Sequence, residues 1–270
     1  QIMSYPKYLL LFFGLCAFWS CEKEIELDLE NSAPRLTIEA QLVGGDQTFE
    51  VRISRSTDFF VEEPATLVNN ASVQLTDEAG NTFNIPATGN GTYLAQVLAT
   101  PNQFYQLEVE LDGQLYTARS FLNPPVFIDS LELEFQEENA FQDEGYLVYT
   151  RFNDDPSQQN FYRFVHAVND TIEGLGEDLQ VLDDVFFDGG FVRIPIFGKT
   201  FESGSEVLVE LQHIDEVTYN YFNALADIVG DGQGPGGSSA APGNPDNNWD
   251  QDILGFFGAS SRDTMRVLIP

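Results

Sequence analysis

Positive charge, cysteine and histidine are all scarce in this chain of 270 residues. It carries 12 Lys and Arg against 43 Asp and Glu, with two His, two Cys and two Met. The resulting formal charge of −31 repels nucleic acid and anionic headgroups at long range. Nucleic acid is therefore excluded as a partner, and binding is expected to be local. No apolar run reaches membrane length. The longest, Tyr8 to Trp19, spans roughly 18 Å as a helix against a hydrocarbon core of about 30 Å. What the chain has in quantity is apolar and aromatic side chains: 43% hydrophobic residues, with 23 Phe and 10 Tyr. That fraction excludes general disorder in spite of the charge, and the aromatics favour β-structure.

The N-terminal segment combines one basic residue, Lys7, with the apolar stretch Tyr8–Trp19, then Ser20 and Cys21. Met3 reads as the start, with Gln1 and Ile2 upstream. The stretch has the length of a signal-peptide core rather than a membrane span. A small residue before Cys21 and a charged segment after it resemble a bacterial lipoprotein signal. The resemblance implies cleavage between Ser20 and Cys21 and acylation of Cys21, which would tie the protein to a lipid bilayer. Cys16 would leave with residues 1–20, so no disulfide is expected and the fold must rest on its cores. Glu22-Lys23-Glu24 is similar to surface-export signals of Bacteroidota lipoproteins, which implies the outer membrane, exposed at the cell surface.

Residues 21–34 read as a tether. From Arg35 the pattern turns to period two, with Leu36, Ile38, Ala40 and Leu42 alternating with polar neighbours, then Phe49, Val51 and Ile53. Short strands are expected at 71–75, 82–85, 92–97, 104–111 and 114–121, separated by turn signals such as Gly89-Asn90-Gly91 and Asp112-Gly113. This spacing predicts an antiparallel sandwich over 35–122, and the segments around Asn70–Leu75 and Tyr105–Val109 resemble Ig-like or transthyretin-like modules. Asn123-Pro124-Pro125 breaks the pattern and marks the expected boundary. A second β-rich module is expected over 126–270, with strands near 145–152, 160–168, 190–196 and 206–213. It contains one helix over 216–229, capped by Asp215 and stopped by Gly230. Val217, Tyr221, Phe222, Leu225, Ile228 and Val229 form its apolar stripe, read as a packing face. Residues 230–248 form a Gly-rich loop, and strands return at 253–257 and 265–269. The fold expected is mainly β, two consecutive sandwich modules with one short helix.

Nucleophilic catalysis has little to build on. The sequence contains no Gly-x-Ser-x-Gly elbow, and His166 and His213 sit in strand-like segments where a structural role is expected. Paired carboxylates for glycoside hydrolysis cannot be located among so many acids. Asp246, Asn248, Asp250 and Asp252 place oxygens at alternate positions, as calcium loops do. Gln251 and Phe257 occupy the positions where an EF-hand has Gly and Glu, so the segment is at most a weak calcium candidate. No cofactor is expected. Trp249, Phe256 and Phe257, with Phe59-Phe60, are the candidate contact residues for a ligand or partner. Trp249 is expected to be exposed at the end of the Gly-rich loop.

The order of several segments resembles an uncharacterised Bacteroidota lipoprotein family, domain of unknown function 4249. They are Cys21 with Ile25-Glu26-Leu27-Asp28, Pro34–Ala40, Phe152-Asn153-Asp154-Asp155-Pro156, Asn160-Phe161-Tyr162-Arg163, Phe187-Asp188-Gly189, Val207–Leu211, Tyr219–Leu225, Asn244-Pro245 and Ile253–Ala259. The resemblance implies a non-enzymatic accessory or ligand-capturing lipoprotein that works beside a TonB-dependent outer-membrane receptor in nutrient uptake. It brings no catalytic residues. A stand-alone surface module binding glycan or protein is the alternative, and a hydrolase the third.

Overall fold

The computed structural model describes residues 34–45, 48–57, 64–138, 143–173, 179–187, 189–196, 199–229 and 244–270. Cys21 and its signal, Phe59-Phe60, Asp188, Gly230 and the first part of the Gly-rich loop lie outside the described residues. In chain order the first half comprises β1 (Leu36–Gly44), β2 (Thr48–Arg55), β3 (Thr66–Leu67), β4 (Ser72–Asp77), β5 (Thr82–Asn84), β6 (Ala87–Gly89), β7 (Thr92–Gln96), β8 (Gln103–Leu111) and β9 (Gln114–Leu122). There follow β10 (Ile128–Gln136), β11 (Gly145–Asn153), β12 (Phe161–Val168), β13 (Thr171–Glu173), β14 (Gln180–Asp183) and β15 (Phe191–Pro195). The chain closes with β16 (Glu206–Ile214), α1 (Glu216–Val229) and β17 (Phe257–Leu268).

Alternating side chains build the strands as their pattern predicts. In β1 the even-numbered residues Leu36, Ile38, Ala40 and Leu42 are buried on one face, while Glu39 and Gln41 point away. Two-residue turns of the kind that match strand twist join the hairpins. Asp112 and Gly113, at φ 53° and 79°, link β8 to β9, and Asn169-Asp170, at 49° and 64°, link β12 to β13. Asp215 caps α1 as expected, its Oδ1 accepting the Thr218 amide at 2.9 Å. Its Oδ2 accepts from Ser120 Oγ and the Phe121 amide, both at 2.8 Å, so the cap also fastens the helix to β9.

The strands form one large sheet backed by two small ones. The large sheet runs β13-β12-β16-β17-β1-β2-β7-β6, with β14 on β12 and β3 on β2. The sheet β5-β4-β8-β9 covers one part of it and β10-β11-β15 covers another, giving two sandwiches that share a sheet. The junction is a parallel pair between the first strand and the last, with Ala40 opposite Phe257 and Gly44 opposite Ser261. The two cores lie on either side of Asn123-Pro124-Pro125 in sequence, with one exchange: Trp249, Ile253, Phe257 and Ala259 return to the first core. Residues 34–270 accordingly cluster as one unit.

The C-terminal strands differ from expectation. Residues 253–257 and 265–269 do not form two strands. A single 12-residue strand, β17, runs through the polar stretch Ser260-Ser261-Arg262-Asp263 that the apolar pattern marks as a break. Its first part pairs with β1 and its length from Ser260 to Leu268 with β16, so backbone pairing on both sides overrides the weak local signal. The buried Ser261 is accommodated there, its Oγ donating to the Pro124 carbonyl at 3.0 Å. Before β17 the chain passes so close to β1 that a Cβ at Gly255, φ 86°, would stand 2.1 Å from the Ile38 carbonyl oxygen. Only glycine fits there.

Candidate functional site

The face of the large sheet opposite the cores carries α1. Odd-numbered β1 residues and Arg163 of β12 share this face with Gln212 of β16, and α1 lies over part of it. Strand β12 is therefore covered on both sides, and six of its eight residues are buried on odd and even positions alike; only Val165 and Val168 are half-exposed. The apolar stripe of α1 is only partly a packing face. Tyr221 stacks on Phe256 with ring centroids 4.4 Å apart, and Phe161 meets Tyr219 at 5.0 Å. Val217 is exposed, contrary to its place in the expected stripe, while its neighbour Thr218 is buried. Tyr221, Phe222 and Leu225 are half-buried and line open space instead of filling it.

That space is two adjoining concavities. The larger, of about 830 Å³, lies between Thr37 and Glu39 of β1, Tyr221 and Leu225 of α1, and the segment Asn244–Gly255. The smaller, of about 280 Å³, is lined by Glu39, Gln41, Arg163, Tyr221, Phe222 and Phe256 together with Ala40 and Leu225. Glu39, Tyr221 and Leu225 belong to both.

Arg163 is the unusual group. It is 5% exposed, and its guanidinium carbon lies 4.1 Å over the Phe222 ring. Burial lowers its pKa to about 10. Its Nη1 reaches Gln212 Oε1 only at 3.4 Å, and its Nε has no hydrogen-bond partner. The carboxylate whose charge acts on it, Glu210, is engaged elsewhere, accepting from Gln212 Nε2 at 2.5 Å and Arg262 Nη1 at 3.2 Å. Among the described residues, every other Lys and Arg stands in an ion pair with Asp or Glu. In a chain so rich in acids, the one cation without an ion pair among those residues is the buried one. Sequence reasoning passed over Arg163 as a strand residue. The available signal was the run Phe161–Val168, apolar at both odd and even positions, which places Arg163 inside whichever face it takes.

A second polar cluster lies among the core residues of the second sandwich. Tyr162 Oη donates to Asp154 Oδ1 at 2.5 Å, and Asp154 Oδ2 accepts the Gly189 amide at 2.8 Å. Burial, then the bond to Asp154, raises the Tyr162 pKa. Asp184 accepts the Asn160 amide at 2.6 Å. His213 stacks on Tyr162 and its Nδ1 lies 2.9 Å from the Pro124 carbonyl. Burial pushes the His213 pKa down against that bond and the nearby carboxylates, so the ring is neutral and Nδ1–H donates. His166 is also buried, with Nε2 3.6 Å from Glu173. The bonds of Tyr162, Asp154, Asn160, Asp184 and His213 satisfy buried groups and tie the turn after β11 to β12 and β14.

The residues singled out from sequence for contact and calcium take other places. Trp249 is 7% exposed and belongs to the first core, so the expectation of an exposed aromatic anchor is corrected. Phe257 is fully buried against Phe49, and Phe256 is 6% exposed, presenting its ring to Tyr221 beside the smaller concavity. The reason for the inward Trp249 lies in its neighbours. Asp250 pairs with the Thr117 backbone in both directions, and the Asn248 side chain pairs with the Phe257 backbone in both directions. This stitching along β9 turns Trp249 into the core. The alternate oxygens proposed for calcium are thus separated: Asn248 serves Phe257, Asp250 serves Thr117, Asp252 pairs with Arg35, and Asp246 is exposed at the larger concavity. Among the described residues no cluster of three or more His, Cys, Asp or Glu is placed to hold a metal ion, and no helix is long and apolar enough to cross a membrane.

Comparison with known proteins adds a family. The family described as Domain of unknown function (DUF4249) matches residues 22–266. No curated protein matches the chain. Among solved structures, it is similar to a two fibronectin type-III domain segment from chicken tenascin, at 12% identity and a TM-score of 0.22, covering 67% of this chain and 91% of that one.

Proposed function

The chain belongs to the DUF4249 family, and on that premise we propose that it is a non-enzymatic outer-membrane lipoprotein. It is held by acylated Cys21 and captures ligand, as an accessory subunit of a TonB-dependent nutrient-uptake receptor. The observation that supports ligand capture is the pair of concavities between α1 and the large sheet, a preformed site carried on a scaffold braced by two cores. The net charge of −31 supports display away from an anionic membrane, since the folded part and the headgroups repel each other. The alternative, a stand-alone surface module binding glycan or protein, loses the exposed Trp249 that was its foremost contact candidate, since that ring is buried.

The test is affinity purification of the tagged chain from native membranes, with mass spectrometry of what accompanies it. A TonB-dependent receptor recovered with the wild type, and fatty-acid labelling that disappears in Cys21→Ala, are the expected results. Purification that repeatedly recovers no such receptor overturns the accessory role, and labelling that survives Cys21→Ala overturns the anchor.

A further inference from the structure

We propose that the smaller concavity is a binding site for the carboxylate of a small monoanionic ligand with an aromatic or apolar body, with Arg163 as the carboxylate-binding residue. The inference rests on the ligand-capture reading and names the chemistry that this role selects.

Three observations carry it. The first is the state of Arg163: nine-tenths buried, without an ion pair, and with Nε lacking any hydrogen-bond partner. A desolvated guanidinium left in that state is costly, and a planar fork of N–H donors matches a carboxylate in two parallel hydrogen bonds. The second is what surrounds it. Gln212 and Arg262 hold the Glu210 carboxylate, so the acid that would neutralise Arg163 from inside the fold is engaged elsewhere. The third is the lining. Phe222 lies under the guanidinium, and the stacked pair Tyr221–Phe256 forms the next wall, so the space beside the charge is aromatic. At about 280 Å³ the space suits a ligand of amino-acid size rather than an oligosaccharide.

Glu39 sets the charge of the ligand. It stands on the rim shared by both concavities, and a second negative charge on the ligand would meet it there. A monocarboxylate avoids this repulsion, while a dicarboxylate or inorganic phosphate does not. The larger concavity, bordered by Glu39, Asp246 and Asp252, leaves room for the body of a longer ligand to extend from the bound carboxylate.

The experiment is isothermal titration of the purified full chain at neutral pH with four probes: 3-phenylpropanoate, its neutral analogue 3-phenylpropanamide, phenylsuccinate and inorganic phosphate. The expected result is that 3-phenylpropanoate binds and that the amide, phenylsuccinate and phosphate each bind at least about tenfold more weakly, the loss expected for a missing or repelled charge-assisted pair. Arg163→Met should abolish binding. Leu225→Trp, which fills the space from the helix and leaves every charge in place, should abolish it too. This second variant keeps the test valid if the first one misfolds. Equal affinity for the amide, binding that survives either variant in folded protein, or no binding of 3-phenylpropanoate overturns the proposal. The titration separates this failure from that of the receptor role. Receptor recovered from membranes without 3-phenylpropanoate binding refutes the site alone, and binding without receptor refutes the accessory role alone.

Discussion

The two sandwiches share a sheet but are stabilised by different chemistry. Among the described residues, the first core joins 24 buried apolar residues, including Phe49, Tyr93, Leu107 and Trp249, and the second joins 12. Buried polar groups run the other way. Among the described residues, only Ser120 and Asn123 come from the first half, whereas Asp154, Asn160, Arg163, His166, Asp184, Gln212 and His213 all come from the second. Every buried charge among the described residues is therefore in the half that carries α1 and its concavities. Apolar packing is the cheaper way to stabilise a sandwich, since burying a charge costs free energy that pairing recovers only in part. The second half is thus where the molecule departs from the most stable solution. It does so around β12, whose Tyr162 side is satisfied within the fold and whose Arg163 side is not.

The largest loss of stability is expected in the first core. Leu107, fully buried, should lose about 2–5 kcal/mol of stability when replaced by Ala, with a large fall in the urea midpoint. Because β1 pairs with β17 across the shared sheet, the loss should appear as one cooperative transition for both sandwiches. Two separated transitions would show that the sandwiches unfold independently. A smaller effect is expected from Asp154→Ala, which leaves the buried Tyr162 hydroxyl and the Gly189 amide without their acceptor. The expected loss is about 2–4 kcal/mol. Tyr162→Phe should lose less, about 1 kcal/mol, since it removes only one partner of the pair.

The smallest effect is a pH dependence. The His213 pKa is lowered in the folded state by burial, so below the unfolded value of about 6.5 the unfolded chain binds the proton more readily. Its contribution is complete above that pH and declines as the pH falls towards the folded value. Melting temperature should drop on acidification from pH 7 to 5, and His213→Phe should flatten that part of the slope. An identical slope in the variant would show that other groups set it.

Much of this architecture was legible in the sequence where one rule acted alone. Alternation located β1, β2, β8 and β9, and the stripe with its Asp215 cap located α1 at Glu216–Val229. What escaped depended on partners distant in the chain. β17 crosses four polar residues because β1 and β16 pair with it from both sides. Trp249 turns inward because its neighbour Asp250, whose Oδ1 accepts the amide of Thr117 133 residues before it, is fastened to β9. The acidic segment looked like a cation loop since composition reveals its oxygens and not their engagement with backbone amides. Arg163 was hidden for the same reason: only the docking of α1 on the far face of β12 makes it buried.

Arg163 is kept for ligand binding and not for the fold, on the reading proposed above. The most direct measurement is the unfolding free energy of Arg163→Met in urea, against wild type and without ligand. An apolar side chain of similar length should pack on Phe222 with no charge to desolvate, so stability should be unchanged or higher by about 1–4 kcal/mol. A loss of about 3 kcal/mol or more would make the buried guanidinium a structural requirement of the second sandwich and rule out its retention for binding.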